Sequence, residues 1–134
     1  MILNISEAAS LGIHAMAYLA HRKGGAPVTT AAIAAAYGFS EAHLSKVFQR
    51  LSKAGLVRSA RGPHGGFRLS RAPSRITLRE IHDALDGPFA KSDCLLGKPR
   101  CGLDRCVLGD LVSDVHKRVA DHLAGTTLAD VASL

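Results

Sequence analysis

From Ser40 to Leu69 the chain reads SEAHLSKVFQRLSKAGLVRSARGPHGGFRL, and its hydrophobic period changes midway. Leu44, Val47, Phe48 and Leu51 stand at i, i+3, i+4 and i+7, one apolar face of a helix, with Ser40 as its N-cap. The period breaks at Gly55. Beyond it Val57 and Ser59 share one side and Arg58 the other, and Phe67 and Leu69 flank Arg68. Between the two runs lies Arg61-Gly62-Pro63-His64-Gly65-Gly66, a turn sequence. A helix feeding a short hairpin whose apolar side lies on the helices leaves few folds open. Just upstream, Thr29 or Thr30 caps a short helix over 31–37 with Ile33, Ala36 and Tyr37 as its inner face, closed by Gly38. Two helices joined by a few residues around a glycine make a helix-turn-helix.

The rest of the chain completes this core. A first helix is expected over 6–22, with Ile5, Ala8, Ala9, Gly12, Ile13, Met16 and Ala20 on one face and Lys23-Gly24-Gly25-Ala26-Pro27 ending it. Pro73 ends the hairpin, and Thr77-Leu78-Arg79-Glu80 is a capping box for a helix to about Leu85. Gly87-Pro88 breaks that helix, and 89–106 read as a Gly, Pro, Lys and Cys-rich loop. A long helix is expected over 107–124, with Leu108, Leu111, Val115, Val119 and Leu123 as a narrow stripe suited to a helix–helix seam. Thr126-Thr127 would cap a last turn through Val131. The fold class is therefore mainly α with a small β-wing: a winged helix-turn-helix over 1–85, a cysteine loop over 86–106, and a dimerisation helix and tail over 107–134.

Charge is distributed unevenly over these elements. Lys46 to Arg79 contains nine Lys or Arg and no acid, whereas nine of the eleven acids lie from Glu80 onward. A one-signed basic surface on a helix and hairpin points to double-stranded DNA as partner. Recognition helices enter the major groove by their N-terminal residues, here Ser40, Glu41, Ala42, His43, Ser45 and Lys46. These offer donors, acceptors and one small apolar contact for base edges. Gln49, Arg50 and Lys53 suit phosphates. Arg58 and Arg68 flank the wing, Arg61 suits the minor groove, and Gly62, His64 and Gly65 let the tip approach the duplex.

At 134 residues the chain suits one domain with an appended dimerisation element, and its 47% apolar content supports a real core. No run approaches the roughly 20 apolar residues of a membrane span. Glu7 interrupts an N-terminus without a basic start, so neither leader nor membrane attachment is expected, and the location is cytoplasmic. In a reducing compartment three clustered cysteines argue for metal or redox chemistry rather than disulfides. Cys94, Cys101 and Cys106 are spaced C-x6-C-x4-C. The loop lacks the paired C-x2-C knuckles of structural zinc sites. Wide, uneven gaps suit an iron–sulfur cluster, and Lys91, Lys98, Arg100 and Arg105 would offset its negative charge.

These motifs together resemble the IscR/NsrR-type family of bacterial winged helix-turn-helix iron–sulfur transcriptional regulators. The resemblance runs through AMAYLAH, HLSKVFQRLSKAGLVRSARGPHGGFRLSR, IHDALDGPF and CVLGDLVSDVHKRV. It implies a homodimeric transcription factor whose C-terminal helices cross and whose cluster, 2Fe–2S or 4Fe–4S, reports redox state, oxygen, nitric oxide or iron–sulfur status. Cys94, Cys101 and Cys106 match the cluster thiolates. Where IscR-like members place a ligating histidine, three residues after the last cysteine, this chain has Gly109. Where NsrR-like members use an acid of the other subunit's first helix, it has Ser10. One turn on, His14 matches a place where some relatives use histidine and is the favoured fourth ligand; Asp104, Asp110, Glu7, a solution thiol or an open iron are the alternatives.

Two other readings compete. One keeps DNA binding and makes the cysteines a thiol switch or zinc site. The other is a redox enzyme, but no phosphate loop, nucleophile–base pair or paired acid stands out, so no enzymatic activity is expected. His21, His82, His116 and His122 show no metal spacing and read as surface or packing residues.

Overall fold

A computed structural model describes residues 3, 5–22, 24–90, 94–96 and 101–133. The elements are α1 (Glu7–His21), α2 (Thr30–Tyr37), α3 (Glu41–Lys53), β1 (Val57–Ala60), β2 (Gly66–Leu69), a 3-10 turn (Pro73–Arg75), α4 (Leu78–Asp86), α5 (Leu111–Gly125) and α6 (Leu128–Ala132). The mainly α fold with a two-stranded wing is the class expected from the sequence.

Local chemistry sets most boundaries. The side chains of Ser6, Thr29 and Ser40 accept from the amides of Ala9, Ala32 and His43, each capping its helix. Gly38 ends α2 in the left-handed region, at φ 71°, where a Cβ would be strained. At α4 the capping box is complete: Thr77 receives the Glu80 amide, and Glu80 receives the Thr77 amide. Thr127 and Asp130 repeat the device at α6.

One core ties the chain together. Leu44, Val47, Phe48 and Leu51 of α3 are buried, as are Met16 of α1, Ile81 and Leu85 of α4, Leu123 of α5 and Leu128 of α6. At Gly12 an added Cβ would run into the Leu85 side chain, so the bare glycine lets Leu85 of α4 pack directly on α1. Phe67 stacks on Phe48 at a centroid distance of 4.6 Å, fastening the wing to α3. Val28 extends the wing by one step: its amide donates to the Phe67 carbonyl at 2.9 Å, and the Phe67 amide returns the bond at 2.8 Å. A similar two-way tie joins the wing's exit to the tail, Leu78 amide to Thr126 carbonyl and Leu128 amide to Ile76 carbonyl, both 2.9 Å.

Three expectations change. The long helix starts at Leu111 rather than near 107, because Gly109 at φ 60° and bonds from Gly109 to Cys106 and Leu111 to Leu108 wind 107–110 into turns. Leu108 thus falls outside the helix, and Leu111 is exposed; the face turned inward carries Val112, His116 and Leu123. In α2 the buried pair is Ile33 and Ala34, whereas Ala36 and Tyr37 are exposed. Tyr37 instead stacks on Phe39 at 5.1 Å.

Candidate nucleic-acid interface and cysteine loop

The buried stripe of α3 fixes which side chains face outward. Ser40, Glu41, Ala42, Lys46, Gln49, Arg50 and Lys53 are exposed, and His43 and Ser45 are half-buried. The exposed Arg50 also ties α3 to α4: its guanidinium donates to the Leu85 carbonyl at the end of α4. The wing pairs in register Val57↔Leu69, Arg58↔Arg68, Ser59↔Phe67 and Ala60↔Gly66. Arg58 and Arg68 therefore sit directly opposite on its exposed face. Like charges so placed repel unless an anion lies between them. Arg61, Gly62 and His64 are exposed at the tip, and Gly65 is half-buried. A Cβ on Gly65 would meet the Ala60 carbonyl oxygen at 2.5 Å, and one on Gly66 would meet the Val28 backbone at 2.4 Å, so both glycines are required by close backbone approach.

The acids beyond the wing are engaged in holding α4. Arg79 Nε lies 2.8 Å from Asp83 Oδ2, and the Phe89 amide donates to Asp83 Oδ1 at 3.0 Å. Burial pushes the Asp83 carboxyl up, but hydrogen bonds from His82 and Arg79, the Arg79 charge and the Phe89 amide outweigh it and hold the group below its usual value. Glu80 behaves alike: burial raises it, while the Thr77 amide and Arg71 lower it further. His82 and His116, expected as surface or packing residues, are both buried, and Phe89 packs edge-on between them at 5.1 and 4.5 Å. His82 also reaches Asp86, which receives the Ser6 amide at the start of α1. This knot closes the hinge where the cysteine loop departs.

Cys94, Cys101 and Cys106 are half-buried and form no disulfide. The Leu108 amide donates to Cys106 Sγ at 3.4 Å, the type of bond that stabilises a thiolate toward a metal or cluster. Arg105 is exposed nearby, whereas Lys91, Lys98 and Arg100 lie outside the described residues. Three thiols in one loop fit an iron–sulfur cluster by donor chemistry. Their positions do not yet form a site: among the described residues no group of three His, Cys, Asp or Glu side chains could hold a metal ion. His14 is exposed on α1, edge-on to Tyr37 at 6.0 Å. Its Nδ1 lies 2.7 Å from the Ser10 carbonyl oxygen, which selects the tautomer with a lone pair on Nε2.

Sequence reasoning missed the Val28 bridge, because one paired residue has no period. It also missed the His82–Phe89–His116 packing, whose partners are far apart in the chain.

Known proteins match this arrangement. Residues 5–133 match the Rrf2 family, described as an iron-dependent transcriptional regulator. The chain belongs to the Rrf2 family. It is similar to the HTH-type transcriptional regulator IscR of Erwinia tasmaniensis, 37% identical over 108 residues, 80% of this chain and 65% of that protein. It thus spans slightly under two thirds of that relative's length. IscR of Sodalis glossinidius is 33% identical over 132 residues, 98% of this chain and 79% of the relative. Among solved structures, CymR, described as the global cysteine regulator of B. subtilis, superposes with a TM-score of 0.79 at 32% identity, covering 96% of this chain and 95% of that one. T. potens IscR gives 0.74 at 32% identity, covering 96% and 85%. The family model and the IscR relatives are described as transcriptional regulators. Among the described residues no helix is long and apolar enough to cross a membrane.

Proposed function

We propose that the chain acts as a homodimeric transcription regulator that binds double-stranded DNA through α3 and the wing and is controlled by an iron–sulfur cluster on the cysteine loop. The carrying observation is the stretch from Lys46 to Arg79, which holds nine basic residues and no acid, with Lys46, Lys53, Arg58, Arg61 and Arg68 exposed on α3 and the wing and Arg58 directly opposite Arg68. Ser40 to Lys46 would read base edges, while Lys53, Arg58, Arg61 and Arg68 would hold phosphates. Two copies related by a twofold axis would present two such helices to half-sites about one DNA turn apart. The exposed Leu108 and Leu111 beside the start of α5 support a seam with a second copy.

The loop would hold the cluster through Cys94, Cys101 and Cys106, with the partner subunit's His14 as fourth ligand. When bound, the cluster supplies a centre that oxidants or nitric oxide can alter. The residues' part is to order 94–110. The His82–Phe89–His116 knot at the loop's entrance would carry that order into α4 and, through Arg50, into α3.

A thiol switch is the second reading, supported by half-buried cysteines that do not converge on a metal position. A solved structure of Staphylococcus aureus CymR, 27% identical, is described as an oxidized form.

Anaerobic purification with iron and sulfide analysis, followed by DNA binding, tests the proposal. A visible chromophore that Cys101→Ala abolishes, with a changed operator affinity, supports cluster control. Colourless protein whose affinity responds to oxidant favours the thiol switch. Arg61→Ala should weaken binding and lower the salt slope by about one unit, the loss of one phosphate contact. Indifference to promoter fragments at low salt would reject the DNA reading.

A further inference from the structure

A cavity of about 420 Å³ lies between the end of α1, residues 24–26 and β2. Arg22, Arg68 and Arg71 line it over Leu19, Leu69 and Pro73. The third wall is bare backbone. Gly24 and Gly25 are consecutive left-handed residues, φ 86° and 64°, and a Cβ on either would meet nothing within 4 Å. The left-handed backbone calls for glycine at both positions, and the lack of side chains leaves the main chain of this wall uncovered.

The charge of this cavity is positive and only partly compensated. Arg71 is fixed by Glu80 at 2.9 Å and by the Arg75 carbonyl at 3.0 Å. Arg22 and Arg68 form no ion pair among the described residues. Arg68 also faces Arg58 across the wing, so it is repelled from that side. The carbonyl end of α1 contributes about half a negative charge at most, which leaves an excess of guanidinium. Guanidiniums match the oxygens of a phosphoryl group in a two-pronged arrangement that lysine cannot copy.

We propose that this cavity is a second oxyanion site, taking a phosphoryl group on Arg22 and Arg68 with Arg71 as the fixed wall. Arg22 lies at the end of α1, outside the Lys46–Arg79 stretch, so the site extends beyond the DNA face described above. The same chemistry could come from the backbone of duplex flanking the half-site or from a free phosphorylated molecule.

Two measurements on the full chain decide. The first is a titration with inorganic phosphate at constant ionic strength, read from the amide resonances of Gly24, Gly25 and Ala26. A saturable shift that weakens at least fivefold in Arg22→Gln is expected. The second compares an operator duplex selected from a random pool, with and without about ten flanking base pairs. A three- to tenfold loss for Arg22→Gln on the flanked duplex alone, with a salt slope lower by about one unit, assigns the site to DNA backbone. Saturable phosphate binding with no effect on either duplex assigns it to a free ligand. Non-saturable shifts equal in wild type and variant, with unchanged slopes, overturn the site. Arg61→Ala is the control: if it too leaves both duplexes unaffected, the DNA reading fails, and the phosphate titration still decides the cavity. Arg22 is exposed at a helix end, so an unchanged Tm is expected and excludes misfolding.

Discussion

Residues 40–69 and residues 94–111 carry the two halves of the proposed function, and they are built by opposite rules. In the first, every outward side chain is positioned by an inward one. Leu44, Val47, Phe48 and Leu51 are buried, Phe67 stacks on Phe48, and Gly65 and Gly66 press backbone on backbone. In the second, Leu95, Leu96, Leu103, Val107 and Leu111 are exposed, and the three cysteines are only half-buried. The first region is ready before any partner arrives. The second leaves its described apolar residues exposed, a surface suited to contact with a partner.

That contrast can be broken most forcefully at Phe48. Phe48→Ala removes the ring that joins α3 to the wing and should cost about 3–5 kcal/mol, a large part of a small domain's stability. Urea denaturation followed by circular dichroism measures it; a loss under about 1 kcal/mol would mean that the wing is not held by this stack.

The hinge between the regions should show an intermediate effect with a pH signature. Asp83 and Glu80 are held below their usual values, so their stabilisation is complete above the ordinary carboxylate range and fades as the pH falls through the folded-state values. The melting temperature should therefore decline below about pH 4. Asp83→Asn should cost on the order of 2 kcal/mol at neutral pH and flatten that decline, since charged hydrogen bonds to Arg79 and the Phe89 amide are weakened. A decline as steep as in wild type would remove Asp83 from the acid response.

At the loop the smallest effect is expected. Cys101→Ala in apo protein should shift stability by less than about 0.5 kcal/mol, because a half-buried loop side chain supports little packing. A large loss would show that the loop is part of the folded core without any ligand.

Legibility in the sequence followed the same divide. The α3 period, the Ser40 cap, the Thr77–Glu80 box and the Arg58/Arg68 alternation all name their structural roles directly, because each is a local rule met by local residues. Errors arose where local rules conflict. Gly109 delayed the start of α5 by four residues, from 107 to Leu111, since a left-handed glycine overrides a weak apolar period. The eight residues of α2 are nearly all apolar, so no period distinguishes Ala34 from Ala36. For the cysteines, spacing shows that donors are available but not how they lie in three dimensions, because a loop without a period carries no local rule for its path. For Arg50, expected at phosphates, nothing nearby in sequence foretells its additional bond to the Leu85 carbonyl.

The two-way amide tie between 76–78 and 126–128 has a practical outcome. A fragment ending after the cysteine loop would strip Leu123 and Leu128 from the interior and expose the Leu78 amide and Ile76 carbonyl to solvent at the root of the wing. The winged segment and the C-terminal helices are thus one cooperative unit, and neither can be studied faithfully as an excised piece.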